Sequence, residues 1–393
     1  MFDLDTPMAS MAVAAAAASA MILALSCALA SGEASGKRTS GPHQTRLFTS
    51  GQDGYHTYRI PALIGASSGA LLAFCEGRKH GGADSGDIDL LVKRSTDLGR
   101  TWSEQRVIWD DGPNTCGNPC PVLDRETGVL WLLMTWNDGA DPESRIVEQT
   151  SRDTRRVFIT SSTDDGLTWA EPQEITARVK LPEWTWYATG PGAGIQIERG
   201  PHRGRLLIPC DHIEAETKHF YSHVIYSDDH GETWQLGGRT PQAQVNECEV
   251  VELTRNRLML NMRNYGRSKP CRQVAFSADG GLTWKDQHHD PTLIEPVCQA
   301  SIRRYSWPER GENIILFSNP ASDSDRVNMT LRLSYDEGDT WPIAKTLHPG
   351  PSAYSSLAVL PNGEIACLYE GGEEHRREAI ILAIVSLDWL KAG

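Results

Sequence analysis

The strongest constraint on this chain is an eight-residue phrase that returns five times: Ser, any residue, Asp, any residue, Gly, any residue, Thr and Trp. Its copies begin at Ser95, Ser162, Ser227, Ser277 and Ser334, between 50 and 67 residues apart. This spacing is typical of folds built from repeated small antiparallel sheets. The Asp can accept backbone hydrogen bonds, the Gly can adopt a positive φ and the Trp can bury its ring. The phrase therefore predicts five hairpin turns, and we assign it no catalytic role.

A second repeat indicates the number of units. Before each phrase stands a short apolar run, and a sixth run at 363–367 precedes a shortened phrase at 386–389. Apolar residues alternate or cluster in short runs, and no long helical pattern is evident. We predict an all-β, six-bladed β-propeller with four antiparallel strands per blade, closed by pairing of 46–48 with 380–385. A β-sandwich of similar strand count is the alternative, but it does not explain five matched turns.

The N-terminal segment predicts export. Residues 11–30 form an apolar run that ends in Ala28-Leu29-Ala30, a pattern typical of signal-peptide cleavage. Acidic Asp3 and Asp5 precede this run without any basic residue, so a later start codon or a retained apolar anchor are alternatives. We predict a signal peptide at 1–30, a flexible linker at 31–45 and the catalytic propeller at 46–393. The expected location is secreted or periplasmic.

Charge and cysteine content limit the partners, metals and cofactors that this chain is expected to bind. The formal net charge is −13, which makes nucleic acid or an anionic membrane surface an unfavourable general partner. Of the nine cysteines only Cys116 and Cys120 lie close together, and a disulfide or two free thiols are both open for them. Because no paired C-x-x-C spacing occurs, we expect neither a catalytic metal nor another cofactor.

Charged residues are predicted to converge where the blades begin. In a propeller the innermost strand of each blade lines the central channel, so side chains at the strand ends meet there. Such ends are expected to carry these residues: Arg59, Glu76, Arg78, Glu247, Arg263, Tyr354 and Glu370, with Arg326 nearby. A group of arginines in an acidic chain predicts a small anionic substrate, held as a carboxylate by forked hydrogen bonds.

From about Arg46 to the C-terminus the chain resembles the exo-α-sialidases of the bacterial and animal type, which are six-bladed propellers with such repeated Asp phrases. The resemblance rests on these segments: Tyr58-Arg59-Ile60-Pro61, Asn246-Glu247, Met262-Arg263-Asn264-Tyr265-Gly266, Arg326 ahead of Asn328-Met329-Thr330-Leu331, Ser352-Ala353-Tyr354-Ser355 and Tyr369-Glu370-Gly371. It implies hydrolysis of terminal α-linked sialic acids from glycoproteins, oligosaccharides or gangliosides, with retention of configuration.

The resemblance also implies roles for individual residues. Arg59, Arg263 and Arg326 would bind the substrate carboxylate, and Glu370 would orient Arg59. Tyr354 would be the nucleophile and Glu247 its base, an exception to the usual pair of carboxylates in glycosidases. Of three aspartates in one loop, Asp84, Asp87 and Asp89, the family spacing selects Asp84 as the acid and base for the leaving group.

Contacts to the rest of the sugar are less well defined by the sequence. Asn118 stands where some relatives have an aspartate, and Gln299 begins another predicted inner strand. Trp184, Trp186 and Tyr187 could form an apolar wall for an acyl or glycerol group, or could equally be blade packing. Two other functions stay open: sialyl transfer to a sugar acceptor, and a non-catalytic propeller that binds glycans or proteins. The second has no need of the arginines together with Glu247 and Tyr354.

Overall fold

The protein is an all-β molecule in its computed structural model, which describes residues 41–392. Within that range lie three short helices, α1 (Glu143–Val147), α2 (Thr176–Val179) and α3 (Leu387–Lys391), and two 3-10 turns, Gly200–His202 and Pro308–Arg310. The prediction of an all-β fold is confirmed. None of the described helices has the length and apolar character needed to cross a bilayer.

The first strand, β1 (His43–Thr49), begins inside the segment predicted as linker, so the folded unit starts earlier than expected. The predicted signal peptide at 1–30 and the linker up to residue 40 lie outside the described residues.

The remaining strands follow one another in six groups. Groups one and two contain β2 (Thr57–Gly65), β3 (Leu71–Arg78), β4 (Ile88–Ser95), β5 (Arg106–Trp109), and β6 (Thr115–Leu123), β7 (Leu130–Asn137), β8 (Arg156–Ser162), β9 (Gln173–Glu174). Groups three and four contain β10 (Trp184–Thr189), β11 (Ile195–Gln196), β12 (Leu206–Glu214), β13 (Phe220–Ser227), β14 (Gln235–Arg239), and β15 (Val245–Leu253), β16 (Arg257–Asn264), β17 (Cys271–Ser277), β18 (Lys285–Ile294). Groups five and six contain β19 (Ser301–Ser306), β20 (Ile314–Pro320), β21 (Val327–Ser334), β22 (Ile343–Val359), β23 (Ile365–Gly371) and β24 (Ala379–Val385).

All strand pairs within each group are antiparallel, and in group three both β10 and β11 pair with β12. The groups assemble into four sheets. One parallel bridge, Ile88 to Thr115, joins groups one and two, and the 17-residue β22 belongs to both groups five and six. As predicted, β1 from the N-terminal side completes group six, with Phe48 opposite Ile380 of β24. Contacts between strands of successive groups run from β2 to β6, from β6 to β12, and through β15, β19 and β22 back to β2.

Apolar side chains from neighbouring groups pack against each other and hold the sheets together. Between groups four and five, for example, Val251 and Met259 belong to one buried cluster with Ile302, Phe317 and Trp341. Burying one such side chain stabilises the fold by about 1.5–3 kcal/mol relative to its exposure. Because several of these clusters lie between successive groups, the strand ends are carried on a rigid frame.

All five repeated phrases form the same hydrogen-bonded turn. In the first, Ser95 Oγ donates to Asp97 Oδ1 at 2.8 Å, and the Gly99 N–H donates to Ser95 Oγ at 2.9 Å. The Thr101 hydroxyl closes the turn on Asp97 Oδ2 at 2.6 Å. The other four copies repeat these contacts, and the phrase glycines have φ between 80° and 95°. The prediction of five matched turns is confirmed.

The strand register places these turns at one end of the sheets. In group one, Ser95 lies opposite Leu71, which lies opposite Gly65, whereas Arg59 pairs with Glu76 near the other end. The first serines of the other copies have equivalent partners: Ser162 with Leu130, Ser227 with Leu206, Ser277 with Leu258 and Ser334 with Ile315. The repeated turns and the predicted site residues therefore occupy opposite ends of the strands.

Two details differ from the sequence expectations. Residues 386–389 do not form a sixth turn, because Ser386 instead caps α3 and its Oγ accepts a hydrogen bond from the Trp389 N–H at 3.0 Å. Cys116 and Cys120 are free and buried in two different core clusters, so the disulfide alternative is wrong.

Candidate active site

A cavity of about 720 Å³ lies at the strand ends opposite the repeated turns, and all six strand groups contribute to its wall. Its lining is mostly charged and includes these predicted residues: Arg59, Asp84, Asn118, Trp186, Glu247, Arg263, Arg326 and Tyr354. The structure thus brings together side chains separated by up to 295 residues of sequence (59 to 354).

Arg59 is directed into the cavity by an irregularity in β2. Pairing between β2 and β3 shifts between Arg59 and Ala62, and Ile60 has a φ of 59°, a strained value for a β-branched residue. Glu370, buried at the end of β23, supports this conformation because it accepts the Ile60 N–H at 3.0 Å and the Arg59 Nε–H at 3.1 Å. The predicted Arg59–Glu370 contact is present in the structure.

Tyr354 lies against Glu247 at the floor of the cavity. The Tyr354 hydroxyl donates to Glu247 Oε1 at 2.5 Å, and Arg263 Nη1 contacts the other oxygen, Oε2, at 2.5 Å. Arg263 Nη1 also donates to the Tyr354 hydroxyl at 3.1 Å. One carboxylate therefore bridges a phenol and an arginine, and each of the three groups fixes the other two.

The three predicted arginines all reach Tyr354. The guanidinium carbons of Arg59 and Arg326 lie 4.9 and 5.6 Å from the centre of the Tyr354 ring, and Arg263 contacts its hydroxyl. Arg326 is held by a hydrogen bond from Nη2 to the Val297 carbonyl at 2.9 Å. Converging guanidinium groups of this kind can bind a carboxylate with several charge-assisted hydrogen bonds.

Asp84 is the aspartate of its loop that reaches these arginines. Its Oδ1 accepts hydrogen bonds from Arg78 Nη1 at 2.7 Å and from Arg59 Nη1 at 3.1 Å. Asp87 and Asp89 instead contact Lys79 Nζ at 2.9 and 3.1 Å. With Asp110, at 3.4 Å from the same amine, they form a carboxylate cluster whose centre is a lysine, and we assign it no metal.

Burial and neighbouring charges set the protonation states. Burial raises the pKa of Tyr354, and the carboxylate of Glu247 raises it further, while Arg263, Arg326 and Arg59 oppose the change. Burial would also raise the pKa of Asp84, but Arg78 and Arg59 outweigh it and lower that pKa to about 2. In the free protein near neutral pH, Tyr354 is therefore a phenol and Asp84 a carboxylate.

The expected sugar-contact residues divide into two sets. Asn118 and Trp186 line the cavity, whereas Trp184, Tyr187 and Gln299 are buried beside it and do not, which corrects the prediction for those three. A register shift in the β10–β12 pairing lies between Trp184 and Tyr187, and the Trp184 ring stacks on His212 in the interior. Gln299 bonds the strand that carries Tyr354: its Oε1 accepts the Ser355 N–H at 2.9 Å.

Sequence reasoning missed a buried arginine, Arg155, that lines the cavity next to these residues. Arg155 is 2 % exposed, donates to Asn118, Asn137 and Thr135, and lies 4.0 Å from the ring centre of Trp186. Burial lowers its pKa to about 10, so it is still charged at neutral pH. It directly precedes β8, the third strand of its group, whereas Arg59, Arg263 and Glu370 were predicted from first and second strands.

Asp211 was missed as well, although the sequence contained a signal for it. It lies toward the end of β12, a second strand of its group, where the same rule had selected Arg263 and Glu370. It is 1 % exposed, lines the cavity, and its Oδ2 has no hydrogen-bond partner among the described residues. Burial and the nearby Glu247 and Glu143 raise its pKa well above the ordinary value.

The chain is similar to known proteins over most of its length. A family profile for the BNR repeat-like domain matches residues 69–367. A sialidase of Micromonospora viridifaciens is 36% identical over 88% of this chain, and a sialidase of Bacteroides fragilis is 31% identical over 83% of it. The chain spans only 54% and 62% of these two relatives.

A solved structure agrees with the sequence relatives. The Hadza microbial sialidase Hz136 has a TM-score of 0.80 and is 32% identical, over 88% of this chain and 69% of that chain. The chain therefore belongs to the sialidase family of glycosidases.

Proposed function

We propose that this chain is an exo-α-sialidase that hydrolyses terminal α-linked sialic acids from glycans, with Tyr354 as nucleophile. The observation that carries the proposal is the hydrogen bond from the Tyr354 hydroxyl to Glu247 at 2.5 Å, in a cavity that also holds Arg59, Arg263 and Arg326. A binding module would need the cations but would have no use for a phenol paired with a buried carboxylate.

The proposed fold is a closed, six-bladed propeller of the predicted kind. The order of contacts between strands of successive groups supports it, because the series that begins at β2 returns to β2 through β22. Ring closure would bring all six strand groups to one axis, which explains how a single cavity receives side chains from each of them.

The arginines suit a substrate whose anomeric carbon bears a carboxylate. Sialic acid has this arrangement, so a clamp of Arg59, Arg263 and Arg326 would hold the reacting carbon directly above Tyr354. A carboxylate nucleophile would approach that centre against like charge, whereas a phenol is neutral until it reacts. Sialylated glycans are therefore the proposed partners. Sialidases are the glycosidases in which a tyrosine takes the place of the usual carboxylate nucleophile.

In the first step Tyr354 Oη bonds to the anomeric carbon, the glycosidic C–O bond breaks and Glu247 takes the phenol proton. Asp84 gives its proton to the leaving oxygen. In the second step water, deprotonated by Asp84, attacks the same carbon from the opposite face, and Glu247 returns a proton to Tyr354 as the aryl ether breaks. Two displacements give the α-anomer, the product of retention.

Substrate binding would prepare Asp84 for its role. In the free protein Arg59 and Arg78 hold its pKa at about 2, too low for a general acid. A substrate carboxylate bound to Arg59 would neutralise that charge and compete for Nη1, which now donates to Asp84 at 3.1 Å. The pKa of Asp84 would then rise, so that Asp84 carries a proton and can act as the general acid when substrate is bound.

The test is release of a fluorogenic aryl aglycone from an α-sialoside, with the first-formed sugar followed by NMR. We expect free sialic acid as the α-anomer, with little change on adding lactose as an acceptor. A β-anomer as initial product would exclude the tyrosine mechanism, and sialyllactose as main product would indicate transfer.

Export is also proposed, and N-terminal sequencing of the mature protein from the culture medium would test cleavage after Ala30.

A further inference from the structure

A second cavity, of about 520 Å³, opens beside the candidate active site. Arg377, in the loop between β23 and β24, lines both cavities. Gly82, two residues before Asp84, also lines the second one. The two spaces therefore adjoin at the loop that carries Asp84.

The wall of the second cavity suits a sugar. Its lining includes Ser50, Thr57, His56 and His375. The Ser50 hydroxyl already donates to the Arg377 carbonyl at 2.7 Å and Thr57 is buried, so the two imidazoles are the groups that a ligand could contact. Both histidines are exposed, and His56 Nδ1 lies 2.7 Å from Thr57 Oγ1. Such groups donate and accept hydrogen bonds, as recognition of sugar hydroxyls requires.

One arginine of this cavity lacks a direct ion pair with the described residues. Arg46 is offset by Glu373 and Glu378 at 3.8 and 3.6 Å. Arg377, by contrast, makes no ion pair with any described residue, and its Nε has no hydrogen-bond partner there. Its one side-chain hydrogen bond in the described range is from Nη1 to the Gly82 carbonyl at 3.1 Å. The carboxylates of Glu370 and Asp84 act on Arg377 from a distance, but neither pairs with it directly, so this half-buried guanidinium can contact an anionic ligand.

The second cavity lies where the proposed chemistry would place the leaving group. Asp84 would protonate the leaving oxygen, so the aglycone must emerge on the side of Asp84. The carbonyl of Gly82 accepts hydrogen bonds from both Arg78 and Arg377, which puts Arg377 directly behind the Asp84 loop. A Cβ on Gly82 would stand 2.6 Å from Arg377 Nη1, so a larger residue at this position would displace the guanidinium.

We infer that the second cavity is a subsite for the leaving part of the glycan, and that Arg377 selects aglycones whose sugar carries a negative group. This inference rests on the proposed function. The negative group is a carboxylate, as in a second sialic acid, or a sulfate ester on the neighbouring sugar. Either would meet the guanidinium with charge-assisted hydrogen bonds.

The test compares kcat/KM for four substrates: an aryl α-sialoside, 3′-sialyllactose, α2,8-linked disialyllactose and a sialyllactose sulfated on galactose. The variant is Arg377→Gln, and the matched control is Arg100→Gln, an exposed arginine at the opposite end of the strands. We expect the ratio of kcat/KM for a charged to an uncharged aglycone to fall about tenfold in Arg377→Gln and to stay unchanged in the control. The disialyl and sulfated arms show which anion is preferred.

Ratios are used because Arg377 also holds the Gly82 carbonyl, and a general disturbance of the Asp84 loop would affect 3′-sialyllactose equally. In the unmodified protein, added salt should lower the same ratio, since exposed charges are screened. An active protein whose ratio changes neither with Arg377→Gln nor with salt overturns the subsite alone. A protein inactive on all four substrates overturns the proposed function, and the subsite with it.

Discussion

The Tyr354 hydroxyl and Glu247 Oε1 lie 2.5 Å apart, although 107 residues separate them in the chain. Arg263 contacts both groups, so the carboxylate is held between a cation and a phenol. This geometry favours transfer of the phenol proton to Glu247 only when a new bond forms at Tyr354 Oη.

Replacement of Tyr354 by Phe should reduce kcat by at least about 10³-fold, because it removes the atom that forms the covalent bond. The arginines are unchanged, so binding of free sialic acid, measured by calorimetry, should alter by less than about threefold. Tyr335→Phe is the matched control, since that tyrosine lies outside the cavity lining. Substantial turnover by Tyr354→Phe would contradict the assigned nucleophile.

Replacement of Arg263 by Lys retains the charge but should still lower kcat/KM roughly 10- to 100-fold, the cost of charge-assisted hydrogen bonds to the carboxylate. An ammonium group cannot present the planar pair of N–H donors that a guanidinium offers to a carboxylate. Steady-state kinetics on the aryl sialoside measures the effect. Activity equal to that of the unmodified protein would show that the planar fork has no part in binding.

The general architecture was predictable because its determinants are local. Each repeated phrase contains its own hydrogen-bonding partners, as in the contact of Ser95 with Asp97, so five turns could be read directly from the chain. The rule that second strands end at the site selected Arg263 and Glu370. Applied to β12 it would also have selected Asp211.

The remaining site residues depended on features that periodicity does not encode. A register shift next to Tyr187 changes which aromatic side chains of β10 reach the cavity, and strict alternation could not foresee it. Arg155 precedes a third strand and reaches inward through bonds to Asn118 and Asn137. Arg377 lies in a hairpin loop, where the sequence gives little indication of direction.

Replacement of Asp84 by Asn should separate natural from activated substrates. Proton donation to a sugar leaving group contributes roughly 10²–10⁴-fold, and a good aryl leaving group needs little of it. The variant should therefore lose about that factor on 3′-sialyllactose and far less on the aryl sialoside. Asp87→Asn is the control, because Asp87 contacts Lys79 instead of the arginines. Equal losses on both substrates would remove Asp84 from the role of acid.

The pH dependence of stability should reveal the buried carboxyl group of Asp211. Its folded-state pKa is raised by burial and by Glu247, so the folded protein binds a proton that the unfolded chain releases above about pH 4. The stability that this bound proton adds to the folded state is fully present below the pKa of Asp211 in the unfolded chain. It is lost as the pH rises toward the pKa of Asp211 in the folded protein. Asp211→Asn removes the linkage, so its melting temperature should fall less than that of the unmodified protein between pH 4 and 8. The difference should be on the order of a few degrees. Asp323→Asn, an exposed carboxylate on the same cavity, is the control and should keep the original slope. If the melting temperatures of Asp211→Asn and of the unmodified protein changed with pH by the same amount, Asp211 would be ionised in the folded protein.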